Sequence, residues 1–237
     1  MVKNYIIKYS IEFIVIILGI TVSFWLNEFS INSQNEKERV KVLVGLQAEN
    51  NEIRNYCIQR RATWKIDMSI IDIFLNKEIT RSKKLDVSKI TSSKNRIETI
   101  MVLYRVFDPP LNRYYSIINS GDLRFVKSDK VKESLSRLHN TSFSYLKTAV
   151  DHEKQLKQNF IPFLTNSHPE IVLAKNSKDP SLGSYIDILS KAIDNDKKLR
   201  SNLVVLRGYL DNKISILDLY MLNLEDLEYE INSALES

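Results

Sequence analysis

The sequence predicts an all-α protein, with one N-terminal transmembrane helix followed by an elongated antiparallel helical bundle of long heptad-patterned helices. Three observations lead there. Phe13 to Leu26, FIVIILGITVSFWL, contains no charged residue, and as a helix the span from Tyr9 to Asn27 would cover about 28 Å, close to the hydrocarbon core of a bilayer. Beyond it, apolar residues recur at steps of three and four over long stretches, which is the helical period. Five Gly and five Pro in 237 residues are too few for the turns of an all-β fold or for a glycine-rich phosphate loop. The expected division is an anchor over residues 1–28 and a soluble helical domain over 29–237.

Within the anchor the polar and small residues follow a pattern. Lys8, Glu12, Ile16, Gly19, Ser23 and Asn27 recur at three-four steps and form one stripe along one helix face. Gly19 and Ser23 make a small-xxx-small pair, which lets helix backbones approach closely in lipid, so the stripe is the predicted association face. Tyr5, Tyr9 and Trp25 stand at the two boundaries, where aromatic rings favour headgroup depth. Glu12 lies about one turn inside the apolar boundary, where a carboxylate is costly unless paired or hydrated. Lys8 is in reach for an ion pair, and the alternative is an ion-responsive carboxylate in a membrane complex. Trp25 to Ser30 offers no pair of small residues for signal cleavage, so the span is expected to be retained.

The net charge of +5 is too dilute to imply nucleic acid. The single cysteine, Cys57, excludes an internal disulfide. Lys3 and Lys8 before the span nearly balance Lys37, Arg39 and Lys41 after it. A short basic tail before an uncleaved anchor favours an extracytoplasmic domain on a bacterial inner membrane.

Taken in order, Phe29 to Asn32 reads as a short break, and Ser33 to Glu36 as a capping box that starts a helix of some forty residues. The seam of that helix includes Leu43, Leu46, Asn50, Ile53, Cys57, Arg60, Trp64 and Ile71. Lys77 to Arg96 reads as a solvated basic loop, and a shorter helix is expected from about Lys94 to Val106. Asp108-Pro109-Pro110 then forms a hairpin turn with Asp108 as N-cap and Pro109 in the first turn, and Gly121 supplies the left-handed closing residue. Ser128 or Asp129 caps a helix with a seam through Leu138, Ser142, Tyr145, Ala149, His152, Leu156, Phe160 and Phe163, which Pro162 should kink or end. A weak segment over Ile171 to Leu173, Asp179-Pro180 and a short helix from Leu182 to Ile193 follow. Asp194 to Asp196 caps a last helix whose leucine seam is interrupted by Lys213 and Glu228.

Ile117-Ile118-Asn119-Ser120-Gly121-Asp122-Leu123-Arg124-Phe125-Val126, with Val131 and Leu135, resembles a leucine, serine-glycine, leucine-arginine signature of a bacterial family of uncharacterised single-pass membrane proteins. The anchor is similar as well, in Glu12, the Ile-rich run, Gly19-Ile20 and the Trp25 to Glu28 exit. The resemblance covers the anchor and the central hairpin. It implies an N-terminal anchor with a helical domain and no particular activity. The four residues before Tyr5 are a shorter and less basic tail than members of that family carry.

Catalytic signatures are missing. His152-Glu153 lacks the second histidine of a zinc-protease motif, and Ser120-Gly121 lacks the first glycine of a nucleophile elbow. One seam histidine, His152, and two exposed ones, His139 and His168, are expected, with no metal and no cofactor. The expected function is a non-catalytic, membrane-anchored scaffold that self-associates or recruits another membrane protein, in contact with the lipid bilayer and without a small-molecule substrate. The alternatives are a sensor or signal-input domain, or an ion-coupled subunit using Glu12.

Overall fold

The computed structural model describes residues 2–76, 80–176 and 181–236. Side chains are described for 12–76, 82–175 and 181–236. The chain is helical, with 91% of residues in helices and no strand among the described residues. Among the described residues nine α-helices follow in order: α1 (Val2–Leu75), α2 (Thr80–Ile90), α3 (Lys94–Val102), α4 (Asn112–Ser120), α5 (Asp129–Ser136), α6 (Phe143–Ser167), α7 (Pro169–Asn176), α8 (Leu182–Asn195) and α9 (Lys197–Glu236).

α1 is one unbroken helix of 74 residues, about 110 Å long at 1.5 Å per residue. The expected break at Phe29 to Asn32 and the capping box at Ser33 are absent. No Gly or Pro lies between Leu26 and Glu36, and ending a helix there would orphan up to four backbone donors and acceptors at each new end. Continuing it costs far less, because propagation is easier than renewed nucleation. α1 ends where cations take its last carbonyls: an Arg200 guanidinium nitrogen donates to Leu75 O, and Lys83 Nζ to Phe74 O at 3.5 Å. Among the described residues, α1 is the one helix long and apolar enough to cross a membrane. An 18-residue window near its N-terminus has mean hydropathy 1.9 and no buried residue.

From Arg39 onward α1 packs antiparallel on α9. The register is marked by Gln47 against Asn232 (2.6 Å), Asn50 Nδ2 donating to Leu224 O (3.0 Å), Arg61 with Asp218 (2.8 Å) and Arg207 with Asp72 (3.2 Å). α6 packs on α9 as well, and α1, α6 and α9 share one core. Two apolar cores result. The one nearer the apolar end of α1 gathers Leu43, Ile53, Trp64, Phe107, Leu217 and Tyr220; the far one gathers Ile70, Phe74, Ile100, Phe160, Tyr185 and Leu203.

Between them lies a layer of buried charge. Glu153 accepts from Lys157 Nζ at 2.7 Å and from Lys213 Nζ, and Lys157 also donates to Leu103 O at 2.6 Å. Lys213 Nζ sits 4.1 Å from the Trp64 ring centroid. Asp67 is paired with Arg96 and, at 3.8 Å, with Arg105. Burial works to raise the Glu153 carboxyl, but the two ammonium groups outweigh it and hold it below its ordinary value. Burial brings Lys213 down to about 8 despite Glu153 beside it, and it pushes Asp67 up against the pull of Arg96 and Arg105.

The π turn over Arg137–Ser142 explains how Glu153 and Lys157 come to be inside. Its closing bond runs from Phe143 N to Leu138 O, five residues back, and so inserts one extra residue into the helical repeat. Beyond it the buried face is Leu146, Ala149, Val150, Glu153, Lys157, Phe160 and Leu164. Ala149 and Phe160 are buried as expected, but Leu146, Glu153, Lys157 and Leu164 each stand one residue later than the predicted seam, so Tyr145 and His152 are exposed.

Four more expectations are corrected. Residues 80–90 form helix α2 with Lys83 buried, not part of a solvated loop; Lys77 to Ile79 lie outside the described residues, as do Asp179 and Pro180. α3 stops at Val102, and residues 103–111 run irregularly to α4. α6 passes through Pro162, because Gln158, whose carbonyl loses its amide partner, is on the exposed face. Residues 169–176 form a full helix, α7, instead of a weak segment.

The charge layer yields a paired expectation for the full-length chain in detergent. Glu153→Gln leaves two buried ammonium groups facing each other and should cost about 3–5 kcal/mol in denaturant melts. Lys213→Met keeps the Glu153–Lys157 pair and should be neutral or stabilising, by up to about 2 kcal/mol. Equal losses from the two variants would refute this account.

Candidate interaction surface

The predicted association face is one surface of α1. Ile16, Gly19, Ile20, Ser23, Phe24 and Asn27 line a shallow cleft along the helix. A Cβ built on Gly19 meets nothing within 4 Å, so a second helix backbone could lie directly over it. Ser23 Oγ donates to Gly19 O at 2.9 Å, and Thr21 Oγ1 to Ile17 O at 2.8 Å. These bonds satisfy both hydroxyls within the helix. Glu12 is exposed on the same stripe, one turn before Ile16. The side chains of Tyr5, Lys8 and Tyr9 lie outside the described residues. Trp25 is 65% exposed and stacks on Phe29 with centroids 6.1 Å apart, on a separate face from the cleft.

The hairpin residues are not brought together as one turn. Gly121 closes α4 in the left-handed conformation (φ 74°), with its amide on Ile117 O and Ile118 O. Asp108 and Pro109 stand before the other end of α4, whose N-cap position is Leu111. Leu111 has no side-chain oxygen to offer. The cap comes from α1 instead: the Glu49 carboxylate accepts from Arg113 N (2.5 Å) and Tyr114 N (2.9 Å), the orphan amides of the first turn. Asp108 N donates to the Tyr56 hydroxyl at 2.8 Å. Reading the sequence missed Glu49, because its partners lie more than sixty residues away and leave no local spacing to find.

The histidines reverse their expected places. His152 is exposed, while His139 and His168 are buried. His168 bridges Asp196 (Nε2, 2.8 Å) and Glu170 (Nδ1, 3.1 Å). Asp196 also caps α9, accepting from Lys198 N and Leu199 N, as expected of that segment. Ser128 caps α5 by accepting from Val131 N. His139 stacks on Tyr114 with ring centroids 3.7 Å apart, which clamps α4 to the π turn. Cys57 is a fully buried thiol, pushed up to about 12 by burial. Among the described residues no group of three His, Cys, Asp or Glu is placed to hold a metal ion.

Burial lowers His139 from 6.5 to about 4. The unfolded chain takes up this proton near pH 6.5 and the folded chain only near pH 4, so acidification through that window favours unfolding. Between pH 6.5 and pH 5 the loss should be about 2 kcal/mol, read as a fall in denaturant midpoint. The fall should be much smaller in His139→Phe, which keeps the stacking ring; an unchanged pH slope in that variant would refute the assignment.

Comparison with known proteins finds no family model that matches the chain, no similar curated protein and no similar solved structure.

Proposed function

We propose that the protein is a non-catalytic, single-pass membrane scaffold. In this reading residues 1–28 anchor it in a bacterial inner membrane, and residues 29–237 form an elongated antiparallel helical bundle, with its heptad-spaced helices, on the extracytoplasmic side. Two copies meet through Gly19, Ser23 and Asn27. The observation that carries the reading is the open face at Gly19 on a helix exposed on all sides from Phe13 to Ile31. In lipid, association is driven by close packing of such faces, and an apolar helix of this length standing bare in water would be an aggregation site. The family resemblance of the anchor and of Ser120-Gly121-Asp122-Leu123-Arg124 supports the same arrangement.

A sensor or signal-input role is the second reading. It is favoured by a cleft of about 460 Å³ between α6 and α9, lined by Tyr145, Ala149, His152, Ile216, Leu219 and Asn223. A ligand seated there would bear on α9 and, through it, on α1.

Ser23→Cys in native membranes should crosslink to a dimer under oxidation, since Cys57 is buried, and adding Gly19→Leu should reduce that band about tenfold or more. No band at position 23 would overturn the self-association reading. For the sensor, filling the cleft with Ala149→Trp should leave the crosslink intact and abolish ligand-dependent shifts in melting. If no member of a metabolite panel shifts the melting of the unmodified chain, the sensor reading falls.

A further inference from the structure

At the end of the helical domain nearest the apolar part of α1, the 3₁₀ turn Asp122–Phe125 packs on α1. Arg124, Phe125 and Lys127 share a cleft with Gln34 and Asn35. Arg124 and Lys127 are exposed, and the Arg124 guanidinium lies 4.8 Å from the Phe125 ring centroid. The height of this corner above the span follows from the continuity of α1. Gln34 is seven residues beyond Asn27, about 10 Å along the axis. A headgroup layer is roughly 5–8 Å thick on each side of the hydrocarbon, so the side chains of the corner reach its outer edge, well within a Debye length.

The acidic residues near the corner have partners of their own. Glu36 is held below its ordinary value by hydrogen bonds from Arg39 and by the charges of Arg39 and Lys127. Asp122 accepts from Ser120 Oγ at 2.6 Å, and Asp129 pairs with Lys132 at 3.5 Å. Glu28, six residues before Gln34, points about 120° away around the helix. With α1 as anchor, two exposed cations and a ring therefore stand at the height where lipid phosphates would lie, and a guanidinium is suited to phosphate oxygens.

We propose that the corner formed by Arg124, Phe125 and Lys127 docks on the phosphate headgroups of anionic lipid, seating the helical domain on the bilayer surface. The inference rests on α1 being the membrane anchor. Docked, the corner gives the domain a second attachment beside the helix, and the domain is held at one rotation about α1.

The test uses the full-length chain in nanodiscs of phosphatidylcholine alone and with phosphatidylglycerol added. The reporter is a fluorophore on Asn119→Cys, an exposed site near the corner; Cys57 is buried and does not compete for label. Quenching by headgroup-nitroxide lipid should rise when phosphatidylglycerol is added. Arg124→Gln and Lys127→Gln should each lower the docked-to-free ratio about fivefold. Incorporation into nanodiscs with quenching that responds neither to phosphatidylglycerol nor to these substitutions overturns the docking and leaves the anchor standing. Failure to incorporate overturns the anchor, and the docking with it. If glycerophosphate protects Gly121 to Lys127 from hydrogen exchange in detergent while the nanodisc quenching stays unresponsive, the corner is a site for soluble phosphate, and the lipid assignment is overturned.

Discussion

Everything in this chain hangs on the uninterrupted backbone hydrogen bonding of α1. From Val2 to Leu75 no Gly or Pro forces a break; Gly19 and Gly45 are both accommodated in the helix. The apolar segment and the packed segment are therefore one rigid object, not two joined by a hinge. The faces of the N-terminal part and the register of the α9 contact are fixed relative to each other by about 100° of rotation per residue. A flexible linker at 29–32 would have freed the domain to turn. Its absence makes the direction of the Gly19–Ser23 face a property of the whole molecule.

A second constraint sits across the domain. The layer of Asp67, Glu153, Lys157 and Lys213 separates the two apolar cores. A buried ionic layer contributes little net stability, because desolvation consumes most of the Coulombic gain. It does penalise misregistry heavily, since sliding α6 by one turn along α9 would carry the Glu153–Lys157 pair away from Lys213 and leave the Lys213 ammonium alone in the interior. The π turn sets the same register from the other direction. By adding one residue before Phe143 it turns the charged positions inward and Tyr145 and His152 outward.

What could be read in the sequence was what is encoded locally. The apolar run, the left-handed closing glycine at Gly121, the Ser128 cap, the Asp196 cap and the leucine seam of α9 each depend on residues within a turn or two, and each was legible. The exception among local signals is Ser33 to Glu36, where a sound capping pattern is overridden because the helix has no reason to stop. The remaining discrepancies are long-range. Glu49 caps a helix more than sixty residues away. Lys83 is buried only because Phe74 and Asp194 surround it. A π turn shifts the helical phase without a Gly or Pro to announce it. The stripe through Gly19, Ser23 and Asn27 was visible in the sequence, but that Gly19 stands open could be known only from its surroundings.

The stiffness of α1 also has a mechanical meaning. From Asn27 to Leu75 the helix is an arm of about 70 Å. Tilting its base by about 5° would carry its far end sideways by roughly 6 Å, about one helical pitch. Small angular changes at the base are thus converted into displacements comparable to the size of a side chain at the tip, where α2, α8 and the start of α9 are gathered. The protein has the proportions of a lever whose fulcrum lies just above its first thirty residues.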